Sequence, residues 1–399
     1  MLVLDEFGKN YLLLGLRIGK LIEGYVESYY GPPELKEIVD KEQPSSPKKL
    51  LSVCNSLQQD LPNQCFPDNR IKFLNKMLGA METSLNVTNG ENIPYLEQVN
   101  KFYDIKSEIV DDSIIYKVTE KLDEFYSGSG SLSDRLNILK KQRAIPFEKI
   151  EETSNHAFQI VQTKAKDFFP NLLPNNEKVN VKIVKNQPWG ANAVYLGNFK
   201  TRIDVNTDIP IDWTTVLFLV SHEGYPGHHT EFSVKEKLLY LEDQQFEHCL
   251  VSYQVPKLVI SEGIANIGID VLFSPREIIK IGLEEICPTP EKEYDLDALI
   301  TEHNAREAKS ALLNNIAFHA YVDGWSDEKL VKYGLNFGLR TENELKNGTL
   351  KFIHHPIGST YAFNYYIGEM LIKKKYGKRP SPSDFKQLLT HQFLPSDLI

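Results

Sequence analysis

Residues 179–205 carry the only sustained β-branched alternation in the chain, and almost everything around them has the apolar spacing of helices. Val179, Val181 and Ile183 alternate with polar residues and predict a strand. Residues 193–196 and 201–205 follow as two more extended runs, and Gly197-Asn198 between them predicts a hairpin. The fold class expected is therefore mainly α (α+β), helical with one small sheet.

The helical readings run from the start. Residues 9–29 have helical spacing and stop at Gly31-Pro32-Pro33. Further helices are expected near 47–60, 68–84, 94–107 and 103–126, with a long one over 146–169. The Ser-Gly repeat at 127–131 is linker-like and divides the expected organisation into a helical subdomain, 1–126, and a second region, 134–399. A surface loop inside one domain is the alternative. At 399 residues the chain exceeds a typical single domain, so a cleft between two subdomains is expected.

Charge narrows the partners. A net charge of -9 with no dense basic run argues against nucleic acid. Residues 11–22 are apolar but include Arg17 and Lys20 and are too short to span a bilayer, so no membrane partner is expected. Asp5 and Glu6 stand where a signal peptide would carry bases. The four scattered cysteines form no CxxC pair and suit a reducing compartment, so the expectation is a cytoplasmic protein.

Immediately after the sheet region, residues 213–221 are nearly all apolar and predict a helix buried on most sides. That helix runs into His222-Glu223-Gly224-Tyr225-Pro226-Gly227-His228-His229. A hydrolytic zinc site needs three protein ligands and one open position. The usual pair of histidines lies at i and i+4 on one helix, with a glutamate beside the first to take a proton from the activated water. Here the next histidine is at i+6, which on a regular helix is rotated by about 120° and displaced by about 9 Å. Pro226 removes the helical bond to residue 222, and Gly227 admits unusual backbone angles. A kink here could return either His228 or His229 to the metal.

A third ligand is sought further on. In residues 261–270, Glu262, Asn266 and Asp270 form one stripe on an otherwise apolar helix, for which Ser261 suits an N-cap. A carboxylate on an apolar helix needs a partner, and a metal ion would be one. Asn266 or Asp270 would then orient a histidine ligand. A solvated surface stripe is the alternative. His319 sits in an apolar stretch, and residues 359–368 are rich in tyrosine, including Tyr361 and Tyr365. Tyrosine beside a metal can donate to an oxyanion, although a core role is the commoner one for both types. Adjacent His354 and His355 read as a loop feature.

These blocks resemble a broad bacterial and archaeal domain-of-unknown-function family of zincin-like proteins, whose signature is H-E-x-x-P-G-H-H. Residues 222–229 match that signature, Glu262-Gly263-Ile264-Ala265 match its Glu-Gly-x-Ala block, and His319 with Gly324-Trp325-Ser326, then Tyr365 to Gly368, match two later blocks. The likeness spans roughly 220–370 in order; the His319 to Gly324 spacing is one residue longer than the family's, and the Gln expected before the tyrosine is missing. The resemblance implies a gluzincin-like zinc peptidase, with His222, His228 and Glu262 as Zn2+ ligands and Glu223 as general base. His319 and Tyr365 are then candidates for substrate and oxyanion contacts. The expected partner is a peptide; a catalytically inactive zincin fold that binds a peptide or protein partner is the competing reading.

Overall fold

A computed structural model describes residues 4–187 and 189–399. The N-terminal expectation rests partly on residues 1–3, which lie outside the described residues. Helices hold 64% of the chain and strands 8%, so the fold is mainly α with a small β component.

In chain order, the elements that build the site are α1 (Glu6–Leu21), β1 (Val26–Tyr29), α2 (Asp68–Thr88), α3 (Ser113–Phe125), α4 (Ile150–Phe168), β2 (Lys178–Val184), β3 (Ala191–Gly197), β4 (Lys200–Asn206), α5 (Val216–Glu223), α6 (His228–Lys235), β5 (Leu250–Ser252), α7 (Lys257–Leu272), α8 (Leu296–Tyr321) and α9 (Gly358–Tyr376). The sheet order is β2-β4-β3; β2 runs parallel to β4, and β3 forms the expected hairpin with β4. The hairpin turns on Gly197, Asn198 and Phe199, all with positive φ. β3 is thus an edge strand.

The first helix ends earlier than its sequence suggests. α1 stops at Leu21, and Gly24 at φ 75° turns the chain into β1. Residues 26–29 are a strand because Val and Tyr side chains suit a pleat and β5 offers a ladder partner. The pairing slips once: Val26 faces Ser252 and Ser28 faces Val251, so Glu27 is an extra residue in a bulge.

Two apolar cores support the molecule. One gathers residues of α1, α2 and α3 with Leu312, Ile316 and Phe363 of the C-terminal half. The other joins α4, the sheet, α5 and most of α7. The N-terminal helices α1, α2 and α3 share their core with α8 and α9. No single described helix is long and apolar enough to cross a membrane. The four cysteines are free thiols.

α7 and α9 cross at backbone contact. A β-carbon on Gly263 would lie 2.5 Å from the Gly368 carbonyl oxygen, and one on Gly368 would lie 2.0 Å from that of Val259. Only glycine at both positions allows this approach.

Candidate metal centre

α5 is apolar on most faces and carries its two polar termini, His222 and Glu223, into the interior. It cannot continue beyond them. Gly224 leaves helical geometry at ψ −94°, the Tyr225-Pro226 bond is cis, and Gly227 donates from its N–H back to the Ser221 carbonyl at 3.0 Å. A β-carbon on Gly227 would lie 2.0 Å from the His222 carbonyl oxygen, so the fold-back requires glycine. α6 then starts at His228. The Pro-Gly break thus brings two imidazoles six positions apart to a ring-centre separation of 4.9 Å.

Glu262 of α7 completes the group. His222 Nε2 lies 3.5 Å from its Oε2, and His228 Nε2 lies 3.7 Å from its Oε1. Ligand atoms on a tetrahedral ion with bonds of 2.0–2.1 Å stand about 3.3 Å apart, close to these spacings. Glu262 is 4% exposed, and its Oε2 and His222 Nδ1 are buried without a hydrogen-bond partner among the described residues. Buried polar atoms left without partners are costly, and an ion between these three side chains would relieve the carboxylate. The three residues can hold a metal ion.

Their surroundings favour neutral imidazoles with free lone pairs. Ser261 donates to Glu231 Oε2 at 2.5 Å, so its oxygen accepts from His228 Nδ1 at 3.0 Å, which leaves Nε2 unprotonated and facing Glu262. Lys235 completes the relay, donating to Glu231 Oε1 at 2.6 Å. Burial holds His228 down to about 4 and His222 well below the ordinary histidine range. Burial also pushes Glu262 up to about 8, against the hydrogen bond it accepts from Tyr361 at 2.5 Å.

Glu223 is 6% exposed. Burial, then the charges of Glu262 and Glu27, push its carboxyl up to about 8, while the Ala193 backbone N–H on β3 opposes the shift. Tyr365 faces the same group: burial and the carboxylates Glu262, Glu223 and Glu27 all raise its phenol. Metal triad, glutamate, tyrosine and strand edge therefore meet in one place.

Other expected residues go elsewhere. His229 is fully buried, with Nδ1 2.7 Å from Thr201 Oγ1 and Nε2 3.0 Å from Glu177 Oε2, and it ties α6 to the sheet. Of the two candidates for second ligand, His228 is the one that meets the site. Ser261 is no N-cap, because α7 begins four residues earlier at Lys257; its hydroxyl serves His228 instead. Asn266 bonds the Tyr365 carbonyl at 3.0 Å, whereas Asp270 is taken by His303 at 3.0 Å and Arg306 at 2.7 Å.

His319 is not brought to the triad. It bonds Asp323 at 2.6 Å, stacks on Trp325 at 3.7 Å and meets the edge of Tyr333. Its role is to close the end of α8. Tyr361, from the tyrosine-rich segment, is held against Glu262, and two site residues escaped the sequence reading: Tyr253, whose ring packs on Tyr361 at 5.7 Å, and Glu27, which accepts from Tyr253 at 2.9 Å. The only sequence signal for Glu27 was a lone acid in a β-prone run before Gly31-Pro32-Pro33.

No protein-family model and no curated protein matches the chain. Among solved structures it is similar to a "putative lipoprotein" from Colwellia psychrerythraea, with a TM-score of 0.52 and 12% identity over 89% of this chain. The chain spans 66% of that relative, just under two thirds. It is also similar to a "putative lipoprotein of unknown function" from Shewanella oneidensis, with a TM-score of 0.47 and 12% identity over 88% of this chain and 70% of that one. At 12% identity the Colwellia likeness speaks for the fold alone, which is the mainly α architecture described above.

Proposed function

We propose that the chain is a zinc-dependent hydrolase of peptide bonds, held to the zincin family by its residue 222–229 signature. The observation that carries the reading is the convergence of two neutral imidazoles and a buried, partnerless carboxylate oxygen beside a second glutamate. His222, His228 and Glu262 would hold the ion. Zinc, when bound, supplies Lewis acidity at the coordination position those three leave open.

The remaining chemistry belongs to the chain. Glu223 takes a proton from the attacking water and returns it to the leaving amine. Its place beside His222 and the Ala193 backbone suits it to that exchange. Tyr365 faces Glu223 and Glu262 with a phenol that burial keeps protonated, able to donate to a developing oxyanion. β3, at the end of its sheet, brings backbone groups beside Glu223, where an extended peptide would pair with those that β1 does not take.

The test combines metal content with turnover. The purified protein should contain about one zinc per chain and cleave members of a short-peptide library. Glu223→Gln should keep the metal and lose about 10²–10⁴ of the rate. Binding without cleavage by the unaltered, metal-loaded protein would favour the inactive zincin reading, and a metal-free protein would end both.

A further inference from the structure

A cavity of about 90 Å³ lies at the start of α5, the end remote from His222 and Glu223. Thr215, the residue before that helix, is part of its wall. The other walls come from the helix Leu132–Gln142, from Arg143 after it, from α8 and from Leu339 and Glu344. The space is enough for about three water molecules, or for one compact ion. α5 rises about 1.5 Å per residue, so its 8 residues keep this cavity well apart from the metal triad.

Most charges around the cavity are matched within the protein. Arg143 pairs with both oxygens of Glu302 at 2.9 Å, and Tyr126 donates to the same carboxylate. Asp212 accepts from the backbone N–H and the hydroxyl of Thr214. Glu344 accepts from the Thr341 N–H at 2.8 Å and from its hydroxyl at 3.1 Å. Lys140 reaches the other Glu344 oxygen only at 3.7 Å.

Two cations are left over. Lys309 of α8 lines the cavity half-buried, and among the described residues its ammonium has neither an ion pair nor a hydrogen bond. Arg340, next to Leu339 of the wall, has a buried Nε without a hydrogen-bond partner among the described residues. Its guanidinium feels Glu344 only through space. Burial, then the charges of Lys140 and Arg340, pull the Lys309 ammonium below its ordinary range, against Glu302 and Glu344. Burying a cation without a partner is costly. A lysine stem is long enough to carry its charge out to water, yet Lys309 keeps it at the cavity.

Two unmatched positive charges call for a dianion, and the room available calls for a small one. A tetrahedral oxyanion presents acceptors to an ammonium and a guanidinium at once. The positive end of α5 adds to the attraction. We propose that this cavity binds an oxyanion of phosphate's size and charge, held by Lys309 with Lys140 and Arg340 contributing charge. The inference stands apart from the hydrolase reading: it uses none of the metal ligands and survives if the chain cuts nothing.

The experiment is calorimetric titration of the purified chain with inorganic phosphate, in a chloride buffer free of other oxyanions. Phosphate should bind with a single-site isotherm. Lys309→Met should weaken it roughly 10–100-fold, and Lys309→Arg, which keeps the charge, should weaken it less. Thermal melts establish that both variants fold. Lys36→Gln, which removes an exposed lysine paired with Asp40, should bind as the unaltered chain does. Absence of saturable binding overturns the proposal, as does equal affinity in the chain and in Lys309→Met, or an equal loss in Lys36→Gln. A bound metal ion could itself hold phosphate, so His228→Ala is titrated as well. It should bind phosphate unchanged; loss of binding there moves the anion to the metal centre and overturns the proposal. Glycerol 2-phosphate, which is bulkier, should bind more weakly than the free ion. Equal binding of the two upholds the site and shows that it takes the phosphate group of a larger molecule.

Discussion

Two histidines in this chain look alike in sequence and end differently. His222 closes the apolar helix α5, and His319 lies near the end of α8 among Phe318, Ala320 and Tyr321. The structure surrounds His319 with finished business: a carboxylate on Nδ1, an indole on one face, a tyrosine at its edge. Beside His222 it leaves a buried Glu262 oxygen, 3.5 Å from Nε2, that no protein group satisfies. What distinguishes the two is that the unsatisfied oxygen beside His222 converges with ligand atoms from that histidine and from His228.

Replacing one member of each set gives the sharpest test of that contrast. His228→Ala should take metal content from about one ion per chain to almost none by elemental analysis. His319→Ala should leave the metal in place and lower stability by about 1–2 kcal/mol through lost stacking, read by chemical denaturation. If both variants lost metal alike, the contrast would be wrong.

The elbow between α5 and α6 is the next place to strain it. Gly227→Ala puts a methyl 2.0 Å from the His222 carbonyl oxygen, so it should cost more than about 3 kcal/mol and lose metal even where it folds. A milder change acts one bond further out. Ser261→Ala removes the acceptor that fixes the His228 tautomer and should weaken metal affinity about 10–100-fold in a competition titration, with the melting temperature little changed.

The smallest effect concerns pH and lies beside the elbow rather than in it. Burial raises Glu177, but bonds from His229 and Tyr225 outweigh it and hold its carboxyl down to about 2. A folded-state value below the unfolded one of about 4.3 means that Glu177 stabilises the fold above that pH. The contribution fades as pH falls toward 2. Glu177→Gln should therefore flatten the acid limb of the metal-free protein's stability curve in this window.

How much of this was legible depended on distance along the chain. The β-branched run, the hairpin at Gly197-Asn198 and the buried α5 are local patterns, and local rules found them. His222, Glu223 and His228 lie within seven residues across a helix break, so a spacing argument could reach them. Glu262 was readable because a lone acid on an apolar helix is physically awkward. Glu27 was hidden for the opposite reason: nothing near it in sequence is unusual, and its position comes from a bulge against β5, which is over 200 residues away. Ser261 was misread because a serine ahead of an apolar run resembles a cap, when the helix had already begun at Lys257.

The glycine crossing of α7 and α9 carries a mechanical corollary. With backbones touching at Gly263 and Gly368, the helix that bears Glu262 and the one that bears Tyr361 and Tyr365 behave as a single rigid floor.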